Sequence, residues 1–584
     1  MSFILSLSIL NNKQAHAIPK RNAIYYNIKT LRLQADWGMS NIDWAILIIV
    51  LSSIILYGLY KSRTTKNLDG YFLSNRSLPW YLVLLSIMGT QASAITFLTA
   101  PGQAYSDGMR FVQYYFGLPL AMIVIAVFFV PVFSKLKVYT AYEFLEHRFD
   151  IKTRTFTASL FLLSRGLSTG ISIFAPSLVL SSLMGWNIYY TNLVMGGLLI
   201  IYTMSGGAKA VAHTQKLQMI IVFIALFLVG YLAVKLLPEA IGFNGALKVG
   251  GQAGKMNIIT TGYTNHVFDW KDKYNIWSGL IGGFFLALSY FGTDHSQVGR
   301  YLTAKNVEES RKGLLTNGLV KIPMQFFILL IGILIFSFYQ YNKGPVYFDE
   351  VTLASAKQTI KKDSLIMLEG QYQQAFNEKN IVQANAVRKT FRQVMERALP
   401  GQKPNDTNYI FLRFVKDNLP VGLIGLIFAI IFLAAWGSIA AALNALAACS
   451  VVDFHKRFFV KKETALKDYK VAQWYTLGWG VFSIIISMFA YNIGNSLIEA
   501  VNIIGSLFYG VILGVFLVAF WIRFVKGTAV FIAAIISEIL VIAIYWLDII
   551  SFLWLNVIGA LLVIIFGCLL QLIVVKEHYV NKKS

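Results

Sequence analysis

Charge is what this 584-residue sequence has least of. Asp, Glu, Lys and Arg make up 14% of it, against 57% hydrophobic residues. A water-soluble chain of this length folds as several domains, and each needs a polar shell. So few charges cannot cover those surfaces, which excludes a soluble multidomain protein. Cysteine is nearly absent: Cys449 and Cys568 lie far apart in apolar stretches. That excludes a disulfide framework and a zinc site built on paired cysteines. Also missing are a phosphate-binding glycine loop with its Lys and a His-Glu-x-x-His pair. With no reactive constellation in sight, the chain reads as a non-enzyme without cofactors, and an ion gradient is the energy source left to it.

Long apolar runs are what it has instead. A hydrocarbon core of about 30 Å takes about 20 helical residues to cross. By that measure thirteen spans stand out, near 42–61, 78–100, 111–135, 155–184, 187–204, 212–236, 276–299, 313–340, 420–451, 470–491, 496–522, 528–547 and 552–575. Backbone groups in lipid must be satisfied within the segment, and the short alternation of barrel strands is absent, so the spans are helices. The net charge of +23 then reads as membrane topology rather than as a nucleic-acid surface. With the first span running outside to inside, the seven cytoplasmic segments hold 26 Lys+Arg, whereas the short opposite loops hold Arg110 alone. The positive-inside rule therefore places the N-terminus outside and the C-terminus inside, in a plasma (inner) membrane. Residues 1–41 form an extension expected to be dispensable, since Met39 offers a better start just before the first span. The insertion 341–419 is long, and its 364–398 stretch, rich in Glu, Gln, Lys, Arg and Ala, is expected to be helical and extracytoplasmic.

Polar and helix-breaking residues at membrane depth mark function. The second span carries Gly89, Thr90, Gln91, Ala92, Ser93 and Thr96. The seventh carries Gly282 and Gly283, then Ser289-Tyr290-Phe291-Gly292-Thr293-Asp294-His295. The ninth carries Ala434-Ala435-Trp436-Gly437-Ser438 and Asn444. Interrupted helices at matching places in two halves point to a transporter site, where freed carbonyls and hydroxyls replace a cation's water. The second and seventh spans are five apart, which fits two five-helix repeats, the second inverted. Ionisable residues inside the spans cost energy unless paired. They are Arg165, Lys321, Glu499 and Glu538, with Arg165 and Lys321 expected to contact the solute or a counter-charge; His213 and His295 read as structural.

Six motifs in order resemble the sodium/solute symporter family. They are 93–98 (SAITFL) followed by Pro101 and Tyr105, 139–149 (YTAYEFLEHRF), 169–176 (TGISIFAP), 206–211 (GGAKAV), 297–302 (QVGRYL), and Leu443-Asn444 with Asp453. The resemblance runs from Asp43 to Val575 outside the insertion. It implies an all-α integral membrane protein of 13 transmembrane helices with a five-plus-five inverted repeat. An extra helix at 42–61 precedes repeats at 78–236 and 276–522; two C-terminal helices at 528–575 and a cytoplasmic tail at 576–584 follow. It implies sodium-coupled symport of a small organic solute, such as a monocarboxylate or a sugar, by alternating access. Matched by motif, sodium falls at Gly89, Ala92, Ala434, Gly437 and Ser438. Gly437 stands where the family commonly has a second hydroxyl, and Gln215 where some members place an acid for a second sodium, so one sodium per cycle is expected. Solute contacts fall at Gln91, Thr96, Tyr115, Tyr290 and Lys321, with Tyr290 as a gate; Arg165 joins them from the residue reading, and an anionic solute suits the two cations. A proton-coupled or uncoupled carrier on the same scaffold is the alternative, and a solute sensor a more distant one.

Overall fold

The computed structural model describes residues 39–62, 68–378, 380–400, 405–459, 465–490 and 496–580. Residues 1–38 of the expected extension and the end of the tail lie outside the described residues. The described chain is nearly all helix, apart from a two-residue hairpin pairing Tyr263–Thr264 with Val267–Phe268. Ten helices are long and apolar enough to cross a membrane, and an eleventh crossing is a bent pair, Trp80–Gln91 with Ala94–Asp107, at 59°. Ile188–Met204 and Ser278–Gly292 are apolar but shorter. The thirteen spans expected from sequence count both as crossings; length and apolarity together carry ten or eleven.

Burial sorts the spans by position. Leu423–Phe459 is apolar on every side, and 89% of its most apolar stretch is buried, so it lies at the centre of the bundle. Asn41–Gly58 is buried over only 22% of that stretch and turns Ile48 and Leu56 outward. Apolar side chains facing outward on a bundle this apolar reverse the pattern of a soluble protein, and the chain is a multi-pass membrane protein. Asp43 holds the outer helix to the central one: its carboxylate accepts from the Gly422 and Gly425 amides at 2.7 and 3.0 Å. Those amides begin the central helix and have no partner within it. A further reversal is hidden in continuous helix between 188 and 235. Tyr202 Oη and Thr214 Oγ1 are 2.9 Å apart, whereas twelve residues of straight helix rise about 18 Å. The chain therefore folds back between them, separating the spans expected at 187–204 and 212–236.

Two helix breaks position the site. The first lies at Ala92–Ser93, where the Ser93 amide turns to the Gln91 carbonyl, 3.1 Å away, instead of reaching Gly89. The second lies at Thr293–Asp294, between Ser278–Gly292 and His295–Tyr301, where the Asp294 carboxylate caps the new helix by accepting from the Ser296 amide at 2.8 Å.

The insertion folds largely on itself. Lys362–Asn377 and Ile381–Ala398 pair as a helical hairpin over an apolar cluster that includes Leu365, Leu368, Tyr372, Phe391 and Met395. The helix expected over 364–398 is thus two helices. Near its foot, burial alone would raise the Glu350 carboxyl, but Lys416 at 2.9 Å and Arg413 beside it hold it below the usual range. The hairpin seats on the bent pair. Arg388 donates to Tyr105 Oη at 3.1 Å and to the Val346 and Pro345 carbonyls, with its guanidinium 5.1 Å from the Phe348 ring centre. At Gly102 a Cβ would fall 2.0 Å from the Thr407 carbonyl oxygen, so only glycine permits that contact. Replacing Arg388 by Ala removes three donors to oxygens in a partly buried seat, a loss of about 2–3 kcal/mol of docking stability. Hydrogen exchange across 362–398 should rise in that variant while the membrane spans keep their protection; unchanged exchange would deny Arg388 the anchoring role.

Candidate functional site

The break at Ala92 meets the central helix through Gln215, on Ala208–Lys235. Its amide nitrogen donates to Thr90 Oγ1 at 3.1 Å and to the Gly437 carbonyl at 3.2 Å, and its amide oxygen accepts from Ser86 Oγ at 2.8 Å. Gly89 makes room for this side chain, because a Cβ there would sit 2.9 Å from Gln215 Cγ. Gly437 faces Gln218 and Gln215 in the same way. Ser438 Oγ donates to the Ala434 and Ala435 carbonyls at 2.9 and 3.1 Å. The residues expected around sodium are thus brought together from two helices, with Gln215 between them. Its part as a tie is one that the sequence reading missed, having weighed that position only as a lost acid.

Beside this meeting point lies a cavity of about 110 Å³. Thr90, Gln91, Ser93 and Thr96 line it from the first break, Tyr115 and Tyr290 from the flanking helices, and Ser438 from the central one. Of the expected solute contacts, Gln91, Thr96, Tyr115, Tyr290 and Arg165 stand on this wall. The Gln91 amide oxygen is buried and has no hydrogen-bond partner among the described residues. Tyr290 Oη accepts from Gln297 at 2.7 Å, which ties the ring to the second break.

Lys321 departs from the expectation, whereas Arg165 meets the counter-charge side of it. Lys321 is not on the wall. It is fully buried, 5.3 Å from the Tyr115 ring centre, and its ammonium has no hydrogen-bond partner among the described residues. It shares one helix face with Asn317 and Gln325, four residues to either side, whose amides are equally without partners there. Sequence spacing fixed its depth but could not say which way that face turns. Arg165 does reach the cavity, yet it is not an unclaimed cation: it forms a buried ion pair with Asp294. Tyr509 Oη donates to the same Asp294 oxygen at 2.8 Å and accepts from Arg165 at 2.8 Å. Asp294 was legible as one of the few acids at membrane depth, but the broken-helix pattern absorbed it. Tyr509 and Asn502, also on the wall, gave no signal within their apolar span. Of the other buried charges, Glu499 pairs with Lys273, while both Glu538 oxygens are without hydrogen-bond partners among the described residues.

A polar cavity where interrupted helices converge inside a bundle of apolar spans is the architecture of a membrane carrier. The chain belongs to the sodium:solute symporter family, whose model matches residues 71–357 and 365–537. Its function is accordingly sodium-coupled symport of a solute by alternating access, with sodium as the coupling ion. It is similar to the sodium/sialic acid symporter of Proteus mirabilis, 26% identical over 87% of this chain and 90% of that one. It is equally similar to the sodium/glucose cotransporter of Vibrio parahaemolyticus, 26% identical over 72% and 70% of the two chains. The fold is shared with a solved sodium-coupled sialic acid symporter in a substrate-bound outward-open state, at a TM-score of 0.73 and 24% identity, covering 91% of this chain and 98% of that one.

Gln215→Leu keeps the volume and removes every hydrogen bond between the broken and central helices described above. Stranding the buried Ser86 and Thr90 hydroxyls should cost about 1–3 kcal/mol, read as a lower Tm in detergent. A Tm equal to the parent's would show that the two helices are held by packing alone.

Proposed function

We propose that the carrier imports one small, hydroxyl-bearing organic solute with one sodium ion, the solute resting in the cavity and the ion beside Ser438. The observation that carries this is the convergence of the Ala92 break and the Gly437–Ser438 segment at a wall they share. Sodium takes neutral oxygens in this reading: the carbonyls of Gly89, Ala92, Ala434 and Gly437 and the hydroxyl of Ser438. The Ser93 amide has left the Gly89 carbonyl, which frees an acceptor. Ser438 Oγ, although donating to carbonyls, keeps lone pairs for a cation. Gln215 supplies a neutral amide in place of an acid, which supports a single ion.

The solute is argued from the wall. Thr90, Gln91, Ser93, Thr96, Thr169, Ser172 and Asn502 offer hydroxyls and amides, and four tyrosines offer ring faces. That mixture suits a hydroxyl-rich molecule, which stacks its apolar face and bonds its edges. The relatives named for sialic acid and glucose carry hydroxyl-rich solutes as well. Sodium binding braces the broken helix against the central one and raises solute affinity, and by linkage the solute raises sodium affinity equally. Tyr290, tied to Gln297, then gates the inner side. The basic loops support a reading with the N-terminus outside and the C-terminus inside a cytoplasmic membrane, and 341–419 on the outer face. The chain acts as a carrier and not as an enzyme.

Ser438→Ala tests the ion site. Sodium should raise the Tm of the purified parent, and the variant should need about 5- to 30-fold more sodium for the same rise, the equivalent of one lost ligand at about 1–2 kcal/mol. An unchanged sodium titration would remove Ser438 from the site. Binding by the parent of a panel of sugars, carboxylates and amino acids, with and without sodium, identifies the solute.

A further inference from the structure

Arg165 is the one formally charged side chain on the cavity wall among the described residues, and the protein has already answered its charge. Its Nε donates to Asp294 Oδ2 at 3.1 Å, and its Nη2 donates to the same oxygen and to Tyr509 Oη. The Asp294 carboxylate is itself fully engaged. Oδ2 takes Arg165 and Tyr509, while Oδ1 takes the Ser296 amide at 2.8 Å and the Ser296 hydroxyl at 2.6 Å. Its side chain is 1% exposed and that of Arg165 is 11% exposed. A solute carboxylate would meet a cation whose Nε and Nη2 are taken and whose charge is already neutralised, leaving it only Nη1; drawing the other donors away would strand a buried carboxylate at membrane depth.

We infer that Asp294 sets the charge preference of the cavity: by occupying Arg165 it closes the wall to carboxylate-bearing solutes and leaves it to uncharged ones. The inference rests on the reading that solute occupies this cavity. Asp294 acts through Arg165 and is a selectivity-positioning residue. Its place at the second helix break also makes the choice local, because the side chain that caps His295–Tyr301 is the one that neutralises the wall. Removing the negative charge while keeping the shape, as in Asp294→Asn, turns the same cavity into an anion site.

Formate, the smallest carboxylate, reads this without knowledge of the natural solute. Purified parent, Asp294→Asn and Arg165→Gln/Asp294→Asn proteins are melted with increasing formate against methanesulfonate at constant ionic strength. The Tm of Asp294→Asn should climb by about 1–2 °C as formate rises from about 10 to 100 times its dissociation constant. The parent and the double variant should stay flat. A parent that formate stabilises as strongly, or a folded Asp294→Asn that formate leaves unmoved, overturns the inference. Should Asp294→Asn fail to fold on its own, recovery by formate or by Arg165→Gln supports charge compensation, and recovery by neither overturns it. A sodium titration of the parent is read in parallel. If sodium leaves its Tm unmoved, the transport reading of the site fails while the formate result stands on its own.

Discussion

Gln215 stands where a helix broken inside the membrane meets the helix at the centre of the bundle, and the whole site depends on that contact. A break at this depth releases backbone carbonyls that water cannot reach and lipid cannot satisfy. Here one amide side chain reaches Ser86, Thr90 and the Gly437 carbonyl together, so the broken segment is tied rather than frayed. Gly89 and Gly437 provide the space for it. The tie is neutral and made of single hydrogen bonds, each worth about 1 kcal/mol net, which is strong enough to orient the segment and weak enough to exchange. The cavity and its polar wall follow from where the first break is held.

The charged groups around this centre follow a second rule: nearly all are paired near helix ends. Asp453 accepts from Arg154 at 2.8 Å and from Thr140 at 2.9 Å, and Arg154 also reaches Glu146 at 2.6 Å. Through these contacts the 139–149 motif is bound to the foot of the central helix. Lys273 meets Glu499 at the opposite end. Such pairs repay the cost of burying charge only as far as hydrogen bonds complete them; at Asp453 Oδ1 takes Arg154 and Thr140, while Oδ2 has no hydrogen-bond partner among the described residues. Lys321, Glu538 and the Nε and Nη1 of Arg300 depart from the rule, with no hydrogen-bond partner among the described residues.

Much of the architecture was legible in the sequence because lipid imposes a simple test on each segment. Length and apolarity found the spans, and polar patches at matching depths found both breaks. The fold-back near residue 205 was also legible, because basic residues between two apolar runs mark a turn at the surface. Rotation about the helix axis was not. Lys321 and Arg165 both lie in helices apolar enough to cross a membrane, yet one faces Tyr115 behind the wall and the other faces Asp294 on it. Depth follows from counting along the chain, whereas facing depends on neighbours hundreds of residues away. Gln215 escaped for a related reason: its family-typical alternative is an acid, and only the coordinates reveal what an amide there joins.

The seat of the insertion has a mechanical meaning for the whole cycle. Ala94–Asp107, the second half of the bent pair, is a short lever with Thr407 wedged against Gly102 and Arg388 clasped to Tyr105. No slack separates the lever from the hairpin above it. Any tilt of those fourteen residues must either haul the hairpin along as ballast or tear it loose. Movement of the bent pair is therefore coupled to a hairpin that contributes no residue to the cavity wall among the described residues.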